Sequence, residues 1–319
     1  MIKALAITGP TASGKTSLSI RLAKELGCEI ISLDSMQIYK RMDIGTAKAT
    51  EKEQSEVPHH MLDFLSPDES FSANAYKEMA MKCAEEITAR GKIPLFVGGT
   101  GLYLSTLIRP DTEQAPESDP EYRKKIEDDL DTEEKKIALH ERLRQVDPKS
   151  AELIHYNNTR RVIRALEIFD ATGKPKSYFD ELSRTKNGNI EVTHITLDFH
   201  DREKLYERVN LRVDMMMTDG LFEEVASLFQ DGYLSKDSTA AQAIGYKEMI
   251  DVILGNANLT EATERIKQAT RNYAKRQLTW FRNMKDANTV FMDTADGEMR
   301  CTEDIIKECK QILLKESEF

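Results

Sequence analysis

The run Gly9, Pro10, Thr11, Ala12, Ser13, Gly14, Lys15 and Thr16 constrains the fold of this chain more than any other stretch. It follows the apolar tetrapeptide Ala4-Leu-Ala-Ile7 and opens an amphipathic stretch from Ser17 to Leu26. Strand, glycine loop and helix in that order, with Gly-Lys-Thr closing the loop, form a cradle for phosphate. Each residue type has a physical reason. The glycines let the backbone turn so that successive N–H groups point inward. The helix N-terminus adds the positive end of its dipole. Lys15 reaches terminal phosphate oxygens, and the Thr16 hydroxyl is a candidate ligand for Mg2+. The chain is therefore expected to bind a di- or triphosphate.

The 319 residues suffice for one large or two ordinary domains. Hydrophobic residues make up 40% and charged residues 31%, the balance of a globular chain, and no apolar run reaches the length of a membrane span. Met1-Ile-Lys-Ala leads straight into the first apolar run, which leaves no room for a signal peptide. Cys28, Cys83, Cys301 and Cys309 show no paired spacing and read as reduced thiols of a cytoplasmic protein. The net charge of −10 argues against indiscriminate nucleic-acid binding. The charge is uneven, however. Arg160, Arg161 and Arg164 cluster, and from Arg265 to Lys285 seven bases occur without an acid.

The first hundred residues alternate strand and helix: strands over Ala4–Ile7, Glu29–Leu33 and Ile93–Val97, with a helix over Ser72–Arg90. That pattern predicts an α/β fold with a parallel sheet flanked by helices. Ligands of such sheets sit beyond the carboxyl ends of the strands, where the glycine loop, Asp34 and Gly98-Gly-Thr100-Gly101 should converge. A Pro- and acid-rich linker follows Arg109. The charged helical pattern from Glu121 to about Tyr178, with Leu130, Ile137, Leu143, Leu153, Ile163, Leu166 and Phe169 as its apolar positions, reads as an inserted all-helical subdomain over residues 113–191. Val192–Phe199 returns to strand character. Residues 192–319 should complete the core begun by 1–112, with helices over Glu203–Phe229, Gln242–Leu254, Leu259–Lys285 and Asp304–Lys315.

Asp34, at the end of the second strand, is placed to act as a general base, to hold metal-bound water, or merely to cap a turn. The third strand ends in glycines with no acid after Val97, which argues against a nucleotide hydrolase. Thr100 offers a hydroxyl and a backbone N–H to a phosphate or an amine, unless it only shapes a tight turn. His59-His60 are adjacent and suit capping better than a shared metal. Met215-Met-Met217 reads as core packing. The bases and aromatics from Thr270 to Arg282, including Lys275, Arg276 and Arg282, suit phosphate contact with base stacking, or an ordinary amphipathic helix.

Several segments together resemble one family closely, tRNA dimethylallyltransferase, also called tRNA isopentenyltransferase. They are Gly9–Thr16, Asp34-Ser-Met-Gln-Ile-Tyr39, Asp43-Ile-Gly-Thr-Ala-Lys48, His59-His-Met-Leu-Asp63, Gly98–Tyr103, Arg164-Ala-Leu-Glu167, Thr172-Gly-Lys-Pro175, Gln242–Glu248 and Tyr273–Arg282. They run in family order across nearly the whole chain. The resemblance implies a P-loop-kinase-like fold with a helical insert that grips the anticodon stem-loop of tRNA. The implied reaction moves a dimethylallyl group from dimethylallyl diphosphate to the N6 amine of an anticodon-adjacent adenine. It implies that Gly9–Thr16 holds the donor's diphosphate and that Lys15, Arg212 and Mg2+ on Thr16 stabilise the leaving group. Asp34 is then the base, and Thr100 lies near the amine or the diphosphate. Ser35, Met36 and Gln37 would read the base, and Arg160, Arg161, Arg164, Lys275, Arg276 and Arg282 would hold RNA. One departure is visible: Asn157-Asn158-Thr159 stands where the family tends to have Asn-Asp-Pro. The chain is expected to be a cytoplasmic monomer. A small-molecule kinase using ATP, a prenyltransferase of free adenine nucleotides and a nucleotide-gated RNA-binding protein share parts of this pattern.

Overall fold

Short apolar runs form strands here, and the longer amphipathic stretches between them form helices. The computed structural model describes residues 1–110, 115–182, 188–235, 238–284 and 286–316. Residues 111–114 of the expected linker and Lys285 of the late basic run lie outside the described residues. The chain divides into two compact units, one of residues 1–107 and 190–319 and one of residues 108–189.

The first unit runs β1 (Ile2–Thr8), α1 (Lys15–Leu26), β2 (Cys28–Leu33), α2 (Glu51–Glu56), β3 (His59–His60), α3 (Ala73–Ala89), β4 (Ile93–Gly98) and α4 (Gly101–Leu107). The second unit supplies α5 (Pro120–Glu127), α6 (Glu133–Val146), α7 (Pro148–Leu153), α8 (Thr159–Thr172) and α9 (Lys176–Leu182). The first unit resumes with β5 (Ile190–Asp198), α10 (Arg202–Thr218), α11 (Leu221–Gln230), α12 (Tyr246–Ile253), α13 (Leu259–Arg282), β6 (Ala287–Phe291) and α14 (Thr302–Glu316). The strands form one parallel sheet in the order β3-β2-β4-β1-β5-β6, the α/β architecture expected.

Side chains alternate between the two faces of the sheet and so feed two cores. Leu5, Ile7, Ile30 and Leu95 pack with Leu18 and Leu22 of α1 and Ile305 and Cys309 of α14. Ala4, Ala6, Ile31 and Phe96 face Tyr76, Ala80 and Ala84 of α3 and Leu107 of α4. Tyr76 and Tyr103 stack at 4.0 Å, and the Tyr76 hydroxyl donates to Ser32 O. A third core joins Ile38, Tyr39 and Met42 to α10–α13 through Val213, Leu221, Val225, Met249 and Ile266. Register matters most for the site. Gly98 pairs with Thr8 on one side and Leu33 on the other. The loops after β1, β2 and β4 therefore leave the sheet side by side at its carboxyl edge.

The second unit closes its own core from Leu143, Ala151, Ile154, Val162, Ala165 and Leu166. Glu167, almost fully buried, is balanced by Arg123 and Arg164 and by the Asp119 N–H. Leu153 and Ile137, apolar positions of the expected helical pattern, are exposed.

Other features also differ from the sequence expectation, the short β3 among them. The helix expected over Glu203–Phe229 is two helices, because Gly220 takes a left-handed conformation (φ 101°) that ends one and starts the next. β6 was not anticipated: Ala287–Phe291 is short, and its burial comes from pairing with β5 rather than from its own pattern. Met215 is largely exposed, while Met216 and Met217 pack against the helical core. The four cysteines are free, and no helix of the described residues is long and apolar enough to cross a membrane.

Beneath the first loop lies a buried polar contact. Thr8 and His194, on β1 and β5, share a hydrogen bond of 2.6 Å, and Thr196 lies 3.2 Å from the same imidazole nitrogen. Burial lowers the His194 pKa from 6.5 to about 4. Between these values the unfolded chain binds a proton that the folded chain refuses. Stability therefore falls as pH drops from 6.5 towards 4. We expect His194→Gln to remove about 3 kcal/mol of that pH-dependent loss, the free-energy equivalent of the shift. Urea unfolding of both proteins from pH 7 to pH 4 measures it; parallel curves would show that His194 titrates normally.

Candidate active site

Gly14 caps α1 at φ 91°, a left-handed conformation that an L side chain rarely adopts, and no side chain caps the helix. The first N–H groups of α1 therefore face whatever the loop encloses. Ala12 is also left-handed (φ 63°), and its carbonyl is held by Arg208 Nε at 2.8 Å. The Lys15 ammonium folds back to donate to Pro10 O at 2.6 Å. Four residues after Arg208 on α10, and so on the same face of the helix, stands Arg212. Its Nε is buried and makes no hydrogen bond. In the sequence Arg212 had only a resemblance to single it out; in the structure it is an enclosed cation aimed at the loop's cavity.

The other wall comes from the turn after β2. Asp34 Oδ1 accepts from Met36 N at 2.8 Å and Gln37 N at 3.3 Å, which fixes the carboxylate at the strand end. Asp34 lies close enough to Lys15 and Arg212 for its charge to act on both. Behind it, Thr100 Oγ1 accepts from Ser35 N at 3.1 Å, and the Thr100 N–H donates to Leu33 O. That N–H, expected to serve a ligand, is thus spent on the sheet edge. The Gln37 amide is likewise committed: it accepts from Ser32 and donates to the carbonyls of Thr46 and Ala47.

These elements enclose a cavity of about 750 Å³, lined by Lys15, Thr16, Asp34, Ser35, Met36, Gln37, Arg208, Arg212 and Arg276. The size suits a small ligand. One end is cationic. Much of the remaining wall is apolar, from Ile30, Val97, Leu211, Val213, Met216, Ile244 and Ile266. Thr100 stands behind Ser35 rather than on the lining.

Of the other candidates, Arg160 and Arg161 are exposed on α8 and Lys275 on α13. Arg276 is stacked over the Tyr273 ring at 5.6 Å. Arg164 is engaged by Glu167 and by the carbonyls of Pro116 and Glu117. Arg282 makes a bidentate pair with the buried carboxylate of Asp198, both contacts at 2.7 Å. His60 shares a hydrogen bond with Glu29, and His59 with Val57 O.

Three further residues shape the site and were not singled out by the sequence. Arg208 holds Ala12, and its spacing from Arg212 was the available signal. Gln277 of α13 touches both the glycine loop and the turn after β4. Glu224 accepts the N–H groups of Asp43, Ile44 and Gly45 at 2.7–3.1 Å, together with the Tyr246 hydroxyl. That cap fixes the segment whose carbonyls hold Gln37.

Burial, with Arg212 nearby, lowers the Lys15 pKa to about 7. An anion in the loop favours the charged ammonium, so binding must raise this pKa and draw in a proton above pH 7. We expect pyrophosphate binding at pH 8 to take up more protons in the wild type than in Lys15→Met. Calorimetry in buffers of different ionisation enthalpy measures the difference; equal uptake would mean that Lys15 stays charged throughout.

A model of the IPP transferase family matches residues 37–284. The tRNA dimethylallyltransferase of Bacillus cereus (strain AH187) is 50% identical over 297 residues, 93% of this chain and 91% of that protein. That of Thermoanaerobacter sp. (strain X514) is 44% identical over 307 residues, 96% and 97%. Among solved structures, the tRNA delta(2)-isopentenylpyrophosphate transferase of Staphylococcus epidermidis superposes with a TM-score of 0.71 at 41% identity, covering 99% of this chain and 100% of that one. A eukaryotic dimethylallyltransferase described as acting on tRNA gives 0.76 at 31% identity, covering 91% and 74%. A glycine loop facing an aspartate across a half-cationic, half-apolar cavity thus sits in a chain that belongs to the IPP transferase family.

Proposed function

We propose that this protein transfers a dimethylallyl group from dimethylallyl diphosphate to the N6 amine of an anticodon-adjacent adenine in tRNA, releasing diphosphate. The observation that carries the reading is Arg212. A buried guanidinium nitrogen without a hydrogen-bond partner is costly, and it sits beside a dehydrated lysine and an uncapped helix N-terminus. That set matches a polyanion whose charge grows during the reaction.

In the step proposed, the adenine N6 attacks the allylic carbon. The new C–N bond forms as the C–O bond to the diphosphate breaks, and the departing electron pair stays on the diphosphate. Lys15, Arg212 and the loop N–H groups stabilise that charge, while Arg208 keeps the loop in place. Asp34 takes the proton from the amine, whose lone pair is otherwise delocalised into the ring. The apolar wall houses the five-carbon group and excludes water from it.

Among the described residues no group of three His, Cys, Asp or Glu side chains could hold a metal ion. The site still fits Mg2+, which commonly binds through a hydroxyl, substrate phosphates and water. Thr16, at the start of α1 and on the cavity lining, is the residue to hold it. When bound there the ion would neutralise charge on the diphosphate.

The adenine has to leave its stack to reach Asp34. Ser35 and Met36 are the wall residues it would meet, with Gln37 and Thr100 holding that wall. Gripping the anticodon stem-loop falls to the unit of residues 108–189 through Arg160 and Arg161, and to Lys275 and Arg276 of α13. Arg164 and Arg282 contribute by holding those elements in shape. We place the protein in the cytoplasm as a monomer.

Mass analysis of unmodified tRNA incubated with the protein, Mg2+ and dimethylallyl diphosphate should show the gain of one dimethylallyl unit. Phosphorylation of a small acceptor by ATP, or prenylation of free adenine nucleotides alone, would redirect the assignment. Asp34→Ala should lower turnover by roughly 10²–10⁴-fold with RNA affinity little changed. Near-normal turnover would remove Asp34 from the base role. Arg212→Ala should lower turnover about 10²-fold or more. Arg161→Ala should instead weaken RNA binding and reduce its salt dependence by about one unit of slope.

A further inference from the structure

Gln277 is 5% exposed, and both ends of its amide are used. Oε1 accepts the N–H of Thr11 at 2.8 Å, and Nε2 donates to Gly99 O at 2.9 Å. One side chain therefore ties the glycine loop after β1 to the glycine turn after β4. The fit is close. A Cβ on Gly99 would lie 2.1 Å from Nε2, so only glycine lets α13 approach this near. One residue on, Thr100 receives the Ser35 N–H, and Ser35 follows Asp34. The path from donor loop to base runs Thr11, Gln277, Gly99, Thr100, Ser35, Asp34. Thr11 N–H, moreover, is given to α13 rather than to the anion-facing set of the loop.

We propose that Gln277 is a positioning residue, its amide fixing the separation between the diphosphate-holding loop and the Asp34 turn and so aligning leaving group, allylic carbon and base. The inference rests on the transfer reaction proposed above. An amide suits the task because its ends differ: one must accept and the other donate. Methionine fills the same volume but leaves the Thr11 N–H and Gly99 carbonyl unpaired, which loosens the two segments without opening a cavity. α13 also carries Lys275 and Arg276, so the helix proposed to meet RNA is the one that sets the spacing of the reacting groups.

The test is a double-mutant cycle on Gln277→Met and Gly99→Ala. Misplacement of reacting groups should lower the single-turnover rate at saturating donor and RNA about 10- to 100-fold in Gln277→Met. RNA affinity should change little, and the melting temperature should fall by only several degrees, the cost of the two unpaired backbone groups. Gly99→Ala disturbs the same contact from the other side and should give a similar loss; it carries the test alone if Gln277→Met does not fold. The double variant should be no slower than the slower single one. A full rate in Gln277→Met, a loss confined to donor KM, or additive losses in the double variant would overturn the proposal. If the wild type forms no prenylated RNA, the reading of the reaction has failed, and pyrophosphate affinity tests the clamp by itself. A weakening of about fivefold in Gln277→Met supports a loop held by this amide; equal affinity overturns it.

Discussion

Two cations crowded together where water is scarce set the terms of this site. Lys15 and Arg212 each lose hydration, the Arg212 charge makes the Lys15 charge harder to hold, and Asp34 favours both. In a chain marginally stable overall such crowding is tolerated only where the scaffold overdetermines it. On the function proposed above, an arriving diphosphate would relieve that repulsion and supply the missing hydrogen bond in one event. In that reading the affinity would come from desolvation already built in, and the fold around the loop holds the two cations in place.

The scaffold does so with contacts made within the protein. Arg208 pins the left-handed carbonyl of Ala12, Gln277 fastens the loop to the neighbouring turn, and Tyr76 supports the end of β2 from below. Functional groups on loops gain precision when the loop around them is held by fixed partners. The parallel register does the rest, because three loops leaving adjacent strand ends have no room to diverge.

Much of this was legible in the sequence, and the reasons are local. A strand, a glycine loop and a helix form one contiguous signal, so Gly9–Thr16 and β1 were found together. Asp34 was legible because it ends an apolar run. What escaped was long-range. β6 is a strand only because β5 is beside it. Gln277 reads as one polar residue on a basic helix until Thr11 and Gly99 are seen around it. Arg282 and Arg164 look like phosphate contacts in a list of charges, but buried carboxylates at Asp198 and Glu167 engage them. Pairing partners distant in sequence decide whether an arginine is free, and composition does not contain that information. The turn at Gly220 was hidden for the opposite reason: continuous apolar spacing on both sides disguised a break of one residue.

The cap on Asp43–Gly45 has a consequence for selectivity. Three consecutive backbone N–H groups pointing one way attract anions as the glycine loop does. In this protein that second concavity is already satisfied from within, by Glu224 with Tyr246 behind it. Under the proposed function, a polyphosphate would find these three N–H groups already taken, while the glycine loop at the start of α1 stays open to it.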